Sequence, residues 1–275
     1  MTIGILYESE EWSTYALLDD IGALGVPAKL IDMREAPDGE ELLSCRLVLN
    51  RVFASAVFRG HKKALDDMPA VIDLLNKHKI RMINPAEAHY YEISKTRAKE
   101  KLKEAGFPVP KLYDAGPPGY PCIVKPDCGG RTSHTFIVHN ANELNESRNS
   151  VPGVVFIAEE YIRPEFGYVT RLEIIDRSCR LALKRSVTEE GLSAYHLGSE
   201  YRSYKDISPT VTDAAVKAMG YLSIEAGSMD IIENSTGWYI IDVNSVSNAS
   251  EDNTEMFGFD LMKETAAYAV KIYYN

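Results

Sequence analysis

The sequence predicts a fold of mixed α/β and α+β class, with an N-terminal domain on a parallel sheet followed by two α+β lobes. Three observations carry this. Over the first 85 residues short apolar strands alternate with helical patterns, the signature of a parallel-sheet unit. From Leu112 to Ile162 the chain offers strand, glycine loop, strand, helix and strand, which describes a small lobe. Beyond it come two further strands, a helix, a hairpin and a C-terminal helix, enough for a larger lobe. The expected boundaries are 1–85 for the first domain and 86–275 for the rest, with a lid lobe at about 111–162 and a large lobe at 163–275.

In chain order, the first strands are read at Ile3 to Tyr7, Ala28 to Asp32, Leu47 to Asn50 and Ile80 to Ile83. Between the last two, the segment from His61 to His78 carries Leu65, Met68, Val71, Ile72, Leu74 and Leu75 at helical spacing, a stripe that should pack on the sheet. Asn84-Pro85 punctuates the chain, and a helix from about Ile93 to Ala105 ends at Gly106. The small lobe includes a helix over Ala141 to Arg148. The large lobe offers strands at Thr170 to Ile175 and Arg180 to Val187, a helix from about Thr212 to Ala226, and a C-terminal helix from Leu261 to Tyr273.

The 275 residues, 45% of them hydrophobic, suffice for a sizeable core. A net charge of −10 argues against general nucleic-acid or anionic-membrane binding, which needs clustered Lys and Arg. The N-terminus has no basic segment and no stretch approaches 18 apolar residues, so the expectation is a cytoplasmic protein with no membrane span. Cys45, Cys122, Cys128 and Cys179 are scattered, which suggests neither a disulfide framework nor a zinc site.

The most informative stretch is residues 227–248, GSMDIIENSTGWYIIDVNSVSN, read as a hairpin turning at Asn234 to Gly237. A register centred on Thr236 sets Asp230 opposite Asp242, and the two-residue period adds Asn244 to that face, together with Ile232, Trp238 and Ile240. Two carboxylates roughly 5 Å apart call for a proton or a cation between them, and with an amide oxygen they suit Mg²⁺; the alternative is a solvated surface hairpin. Upstream, a strand delivers Lys125 to a loop holding Gly129 and Gly130, where a backbone can approach phosphate oxygens. The strand exit Glu159, Glu160, Tyr161, Ile162 can present backbone groups to a purine edge, or is an ordinary edge strand. Arg171 and Arg185 on successive strands can grip carboxylate or phosphoryl oxygens, or pair with Glu173 and Glu189.

The order and spacing of Lys95, Lys125, the EEYI exit, the two arginines and the closing D…DVN resemble the ATP-grasp superfamily. The branch in view holds the ribosomal-protein glutamate ligases and the glutamate-adding and 2-aminoadipate-modifying ligases of lysine biosynthesis. The resemblance spans nearly the whole chain and implies the three-lobed ATP-grasp architecture, with a pre-ATP-grasp domain and two lobes clasping ATP. It implies that Lys95 and Lys125, with the Gly129-Gly130 loop, contact the ATP phosphates. Glu159, Glu160, Tyr161 and Ile162 would line the adenine, and Arg185 would hold the γ-phosphate. Asp230, Asp242 and Asn244 would bind two Mg²⁺, with Mn²⁺ as an alternative. Arg171 and Arg51 would position the acceptor carboxylate, and Ser245 and Asn248 lie in the loop where related ligases recognise the amino acid.

Three departures from the family pattern stand out. Asp242 takes the place of a usual Glu, the loop CGGRTSH lacks spaced glycines, and Val169 stands where an acid is common, which passes the ribose contact to Glu165. The activity implied is an ADP-forming carboxylate–amine ligase working through an acyl-phosphate, with Lys125 and Arg185 neutralising charge, Arg171 orienting the carboxylate, residues 129–133 as a lid, and His196 near the amine. The expected partners are a small carboxylate and an amino-acid or peptide amine, a carrier protein or peptide as acceptor, and a second copy of the chain in a homo-oligomer; no nucleic acid and no membrane are expected. A non-catalytic nucleotide-binding module, or a phosphoryl transferase, is the alternative on the same scaffold.

Overall fold

The structure, a computed structural model, describes residues 1–114 and 116–275. Its first sheet is parallel, with strands β1 (Thr2–Tyr7), β2 (Ala28–Asp32), β3 (Cys45–Arg51) and β4 (Arg81–Ile83) in the order β2-β1-β3-β4. Helices α1 (Trp12–Ala23), α2 (Gly39–Leu43) and α3 (Lys62–Lys77) connect them. The apolar stripe of α3 does pack on the sheet, burying Leu65, Met68, Val71, Ile72 and Leu75 with Leu6, Val48 and Met82.

The other face of that sheet is covered by α1 and by the last helix of the chain, α9 (Leu261–Tyr274), whose Leu261, Met262, Ala266 and Ala269 join Ile3, Ile5, Leu17 and Leu47 in one core. The two ends of the sequence are therefore bound into one hydrophobic cluster.

Helices α4 (Ala86–Glu92) and α5 (Lys95–Glu104) follow β4. The expected helix from Ile93 thus starts two residues later, because the Ser94 hydroxyl caps it by accepting from the Arg97 amide at 3.3 Å. The small lobe is a three-stranded antiparallel sheet of β5 (Cys122–Pro126), β6 (Phe136–Val138) and β7 (Phe156–Glu160), in the order β6-β5-β7. Helix α6 (Ala141–Arg148) closes its core and is capped by Asn140, whose side chain accepts from the amides of Asn142 and Glu143 at 3.0 Å.

The large lobe is a five-stranded antiparallel sheet ordered β10-β9-β8-β11-β12, formed by β8 (Tyr168–Ile175), β9 (Ser178–Ser186), β10 (Tyr201–Ser203), β11 (Ala226–Asn234) and β12 (Gly237–Asn244). One face is buried under α7 (Pro209–Tyr221) and residues of α4 and α5. Helix α7 ends at Tyr221, five residues short of the sequence expectation, and Ala226 instead opens β11. A short helix α8 (Glu251–Phe257) precedes α9.

The β11–β12 hairpin has the expected opposition of Asp230 and Asp242 and a different way of reaching it. Asn234 pairs with Gly237 and Ile231 with Ile240, so the turn is centred between Ser235 and Thr236. A bulge at Ile241 then shifts the register, and Asp230 meets Asp242. The shift corrects one expectation. Trp238 and Ile240 do not share the carboxylate face; they lie in the core with Met229, Ile231 and Val243, while Tyr239 and Ile241 pack with Ile232, Ile162 and Val169. An extra residue in one strand exchanges the faces of everything beyond it. Gly227 lets the strands approach at the base of the hairpin, where an added Cβ would lie 2.3 Å from the Asn244 carbonyl oxygen.

Candidate active site

Between the small and large sheets lies a cleft with a cavity volume of about 110 Å³. It gathers most of the residues singled out in the sequence. Lys95, Lys125, Gly129, Gly130, Glu159, Glu160, Tyr161, Ile162, Arg185, Asp230 and Asp242 all line it. Ile123, Val169, Leu192, Ile232 and Ile241 supply apolar walls.

The charges are held in register by the strands. Arg185 Nη2 stands 2.7 Å from Asp230 Oδ2, and Arg171 Nη1 stands 3.5 Å from Asp230 Oδ1. Of the pairings left open by the sequence, Arg171 takes Glu173 as well, at 2.7 Å, whereas Arg185 pairs with Asp230 and not with Glu189. Arg185 keeps its buried Nε–H without a partner. Across the hairpin, Asp242 has Lys95 Nζ at 3.8 Å. Burial alone would raise the Asp242 pKa; Lys95, Lys125 and Lys99 overcome it, and the carboxylate is held below its ordinary range.

The root of the glycine loop is tied to the start of α5. The Asp127 carboxylate accepts from the Thr96 amide at 2.7 Å and from the Ser94 hydroxyl at 2.9 Å, an acid at a helix N-terminus. Lys95 Nζ donates to the Gly129 carbonyl at 2.5 Å. Gly129 is required by crowding, since a Cβ there would lie 2.8 Å from the Phe58 ring. The loop closes on its surroundings: the Thr132 hydroxyl donates to the Ser193 carbonyl at 3.1 Å, and Arg131 pairs with Glu11 and lies over the Phe53 ring.

A second group of predicted residues collects at the edge of the N-terminal sheet. Arg51, at the end of β3, is 4% exposed and has no carboxylate within pairing distance among the described residues. It donates to the Ser13 hydroxyl at 2.7 Å, the Ser247 carbonyl at 3.1 Å and the Thr14 hydroxyl at 3.4 Å. Burial lowers its pKa to about 10, against the opposing pull of Glu11. Asn248 joins this corner, bonded to Ser13 and to Glu11. Corner and cleft are linked through Glu173, which accepts from Arg171 Nε at 2.7 Å and from the Ser247 hydroxyl at 2.7 Å.

Other predicted residues fall elsewhere. Glu165 is outside the cleft and accepts from the Ser235 amide at 2.9 Å, at the hairpin turn. His196 is exposed on a short 3-10 turn and does not line the cleft. Ser245 is 2% exposed, its amide and hydroxyl donating to Glu92 at 2.6 and 3.2 Å. Asn244 pairs with Ser228 at the end of β12, one pleat beyond Asp242 on the same face. Sequence reading passed over Asp127, Glu92 and Lys99, and named Glu173 only as a pairing partner for the arginines. Lys99 follows Lys95 by one helical turn, a spacing that places both on one face of α5 and could have revealed it.

Comparison with known proteins assigns the fold and the family. The family model described as "ATP-grasp domain" matches residues 93–250, more than half of the chain. The chain belongs to the ATP-grasp family. The solved structures similar to this ATP-grasp protein include PsnB, an ATP-grasp ligase complexed with minimal precursor, with a TM-score of 0.71 at 18% identity over 98% of this chain and 99% of that one. They also include a RimK domain protein ATP-grasp from Sphaerobacter thermophilus, with a TM-score of 0.71 at 17% identity over 98% and 99%. A D-alanine–D-alanine ligase from Bacillus anthracis aligns with a TM-score of 0.68 at 15% identity over 100% and 99%. Identities this low establish the ATP-grasp fold. No curated protein matches the sequence significantly.

Asp230, Asp242 and Asn244 carry oxygen donors of the type a hard divalent cation takes, and both Asp230 oxygens are engaged here by Arg185 and Arg171. Asp230 and Asp242 face each other beside an amide-bearing Asn244, and no group of three or more His, Cys, Asp or Glu able to hold a metal occurs among the described residues. Two carboxylates and an amide oxygen leave coordination positions to water and phosphate, as Mg²⁺ prefers. The cations Lys95, Lys125 and Arg185 line the same cleft.

Proposed function

We propose that the protein is an ADP-forming ligase that joins a carboxylate to the amine of an amino acid or peptide. The observation that carries this is the continuity of the polar path: Asp230, Arg171, Glu173, Ser247 and Arg51 lead from the cleft to a buried guanidinium with no acidic partner. Arginine's planar fork suits an acceptor carboxylate, and two such forks, Arg51 and Arg171, lie at either end of the path.

The reaction follows from those positions. A carboxylate oxygen of the acceptor attacks the terminal phosphorus of ATP, the bond to ADP breaks, and an acyl-phosphate forms. The amine then attacks the acyl carbon, phosphate departs, and the amine proton is lost to give an amide. Lys125 and Arg185 neutralise charge as the phosphoryl group transfers, and Arg171 orients the attacking oxygen. Asp230, Asp242 and Asn244 would hold two Mg²⁺, with Mn²⁺ able to substitute, and the metal supplies Lewis-acid neutralisation of phosphate charge when bound. The loop 129–133, fastened through Thr132 and Arg131, keeps water from the acyl-phosphate.

The test is Mg-ATP-dependent ADP release against a matrix of carboxylates, amino acids and peptides, singly and in pairs. Peptides belong in the panel because the similar PsnB structures hold a precursor peptide. ADP accompanied by a product one water lighter than the summed substrates supports the ligase. ADP without any amine requirement points to a phosphoryl transferase, and Mg-ATP binding with no turnover to a binding module.

A further inference from the structure

Behind the cleft wall, two buried lysines share one pair of acceptors. Lys125 Nζ lies 2.8 Å from Glu159 Oε1 and 3.0 Å from the Ile241 carbonyl oxygen. Lys99 Nζ lies 3.3 Å from Glu159 Oε2 and 2.8 Å from that same carbonyl. Lys99 and Glu159 are 4% and 2% exposed. Lys125 lines the cleft and Lys99 does not, so only one of the two can reach a nucleotide.

Ile241 is the bulged residue of β12. The bulge that brings Asp242 opposite Asp230 also presents the Ile241 carbonyl to α5, and both lysines use it. One register shift therefore sets the carboxylate pair and builds the box that holds Lys125.

The charge count gives the box a purpose. Glu159 with Lys125 alone would be a closed ion pair, and a buried carboxylate with a single partner holds that partner tightly. With Lys99 on its second oxygen the set of Lys99, Lys125 and Glu159 carries one net positive charge, and Lys125 is its member that lines the cleft.

We infer that Lys99 is a positioning residue for nucleotide phosphate binding: by neutralising Glu159 and sharing the Ile241 carbonyl, it leaves the charge of Lys125 for the phosphates. The inference rests on the nucleotide reading of the cleft and adds a residue to it.

The phosphate dependence of affinity tests it. Adenosine, ADP and the non-hydrolysable analogue AMPPNP, each with Mg²⁺, are titrated calorimetrically into the full-length protein. Lys99→Met should bind adenosine as the wild type does and lose about tenfold or more in ADP and AMPPNP affinity, the scale of one charge-assisted hydrogen bond. Lys99→Arg should restore most of the loss, and K99M/E159Q should recover the preference for ADP over adenosine because nothing then holds Lys125 back. A purely structural Lys99 would change thermal stability, or all three affinities alike, and an unchanged ADP-to-adenosine ratio in K99M overturns the inference. Should K99M not fold, E159Q decides: an unchanged or higher ratio supports the inference and a tenfold lower one refutes it. Wild-type protein that binds ADP no better than adenosine defeats the phosphate reading itself, and this inference with it, before any variant is made.

Discussion

The cleft and the corner around Arg51 both bury arginine and lysine, and they do so in opposite ways. In the cleft each buried cation has an acid nearby: Arg185 with Asp230, Lys125 and Lys99 with Glu159, Lys95 with Asp242. In the corner, Arg51 is surrounded by two hydroxyls and a carbonyl. Desolvating a charge is costly unless it is paired, so the cleft's cations are stabilised by nearby acids while Arg51 relies on neutral acceptors alone. On the proposed function, the cleft takes charges that come with their own cation, as Mg-ATP does. On the same proposal, the corner takes the acceptor carboxylate.

The sharpest break of this contrast is Asp242→Asn. It removes one carboxylate of the facing pair while keeping the size of the side chain, and leaves Lys95 without its nearby acid. We expect ADP formation to fall by at least about 10³-fold, the scale seen when electrostatic stabilisation of a transition state is lost, with circular dichroism and melting temperature little changed. Activity near the wild-type level would remove Asp242 from the metal site.

Arg51→Met tests the other side. Losing the guanidinium should leave Mg-ATP affinity unaltered and lower acceptor-dependent kcat/KM by roughly 10²–10³-fold, the worth of a buried charge-assisted pair. Equal losses in nucleotide binding would show that the corner serves the cleft and not the acceptor.

Much of this division was legible in the sequence, for identifiable reasons. Strand β2 and helix α6 fall at the expected residues because an apolar run and an Asn cap signal themselves locally. Lys125 and Arg185 lie near strand ends and Lys95 opens a helix, whereas the two aspartates were found through the register of the hairpin. The bulge at Ile241 was not legible, since no glycine marks it in the run Tyr239 to Val243, and the lysines that meet its carbonyl come from other elements. That is why Asp230 and Asp242 were paired correctly while Trp238 was given the wrong face. Lys99 was missed for a related reason: α5 carries Lys95, Lys99, Lys101 and Lys103, and only tertiary contact separates the buried pair from the solvated one. The joining of α9 to the first sheet likewise has no local signature.

A third kind of buried base sharpens the comparison. His89 in α4 is fully buried, and neither ring nitrogen has a hydrogen-bond partner. Burial lowers its pKa to about 4, below the value of 6.5 it takes when exposed. The sign follows: the unfolded chain takes up the proton first, so the stability His89 contributes is complete above pH 6.5 and is lost as pH falls through about 4. The full loss is on the order of 3 kcal/mol. Denaturant midpoints measured between pH 7 and pH 4 should fall, and His89→Leu should flatten that limb. An unflattened limb would place the acid sensitivity elsewhere.

The mildest test concerns the fastening between the two regions. Arg131 rises from the glycine loop, pairs with Glu11 and covers Phe53, while Glu11 also accepts from Asn248 beside Arg51. Arg131 is half exposed, and an exposed ion pair contributes little, on the order of 0.5 kcal/mol, even with a ring beneath it. Arg131→Ala should therefore change ATP affinity by no more than about threefold, because nothing in the matched cleft is removed. Its effect should appear as leakage: ADP released without ligated product, measured as the ratio of the two, should rise as the loop opens more often to water. A ratio that stays at the wild-type value would mean that Thr132 and its bond to Ser193 suffice to hold the loop, and that the Arg131–Glu11 pair belongs to the corner alone.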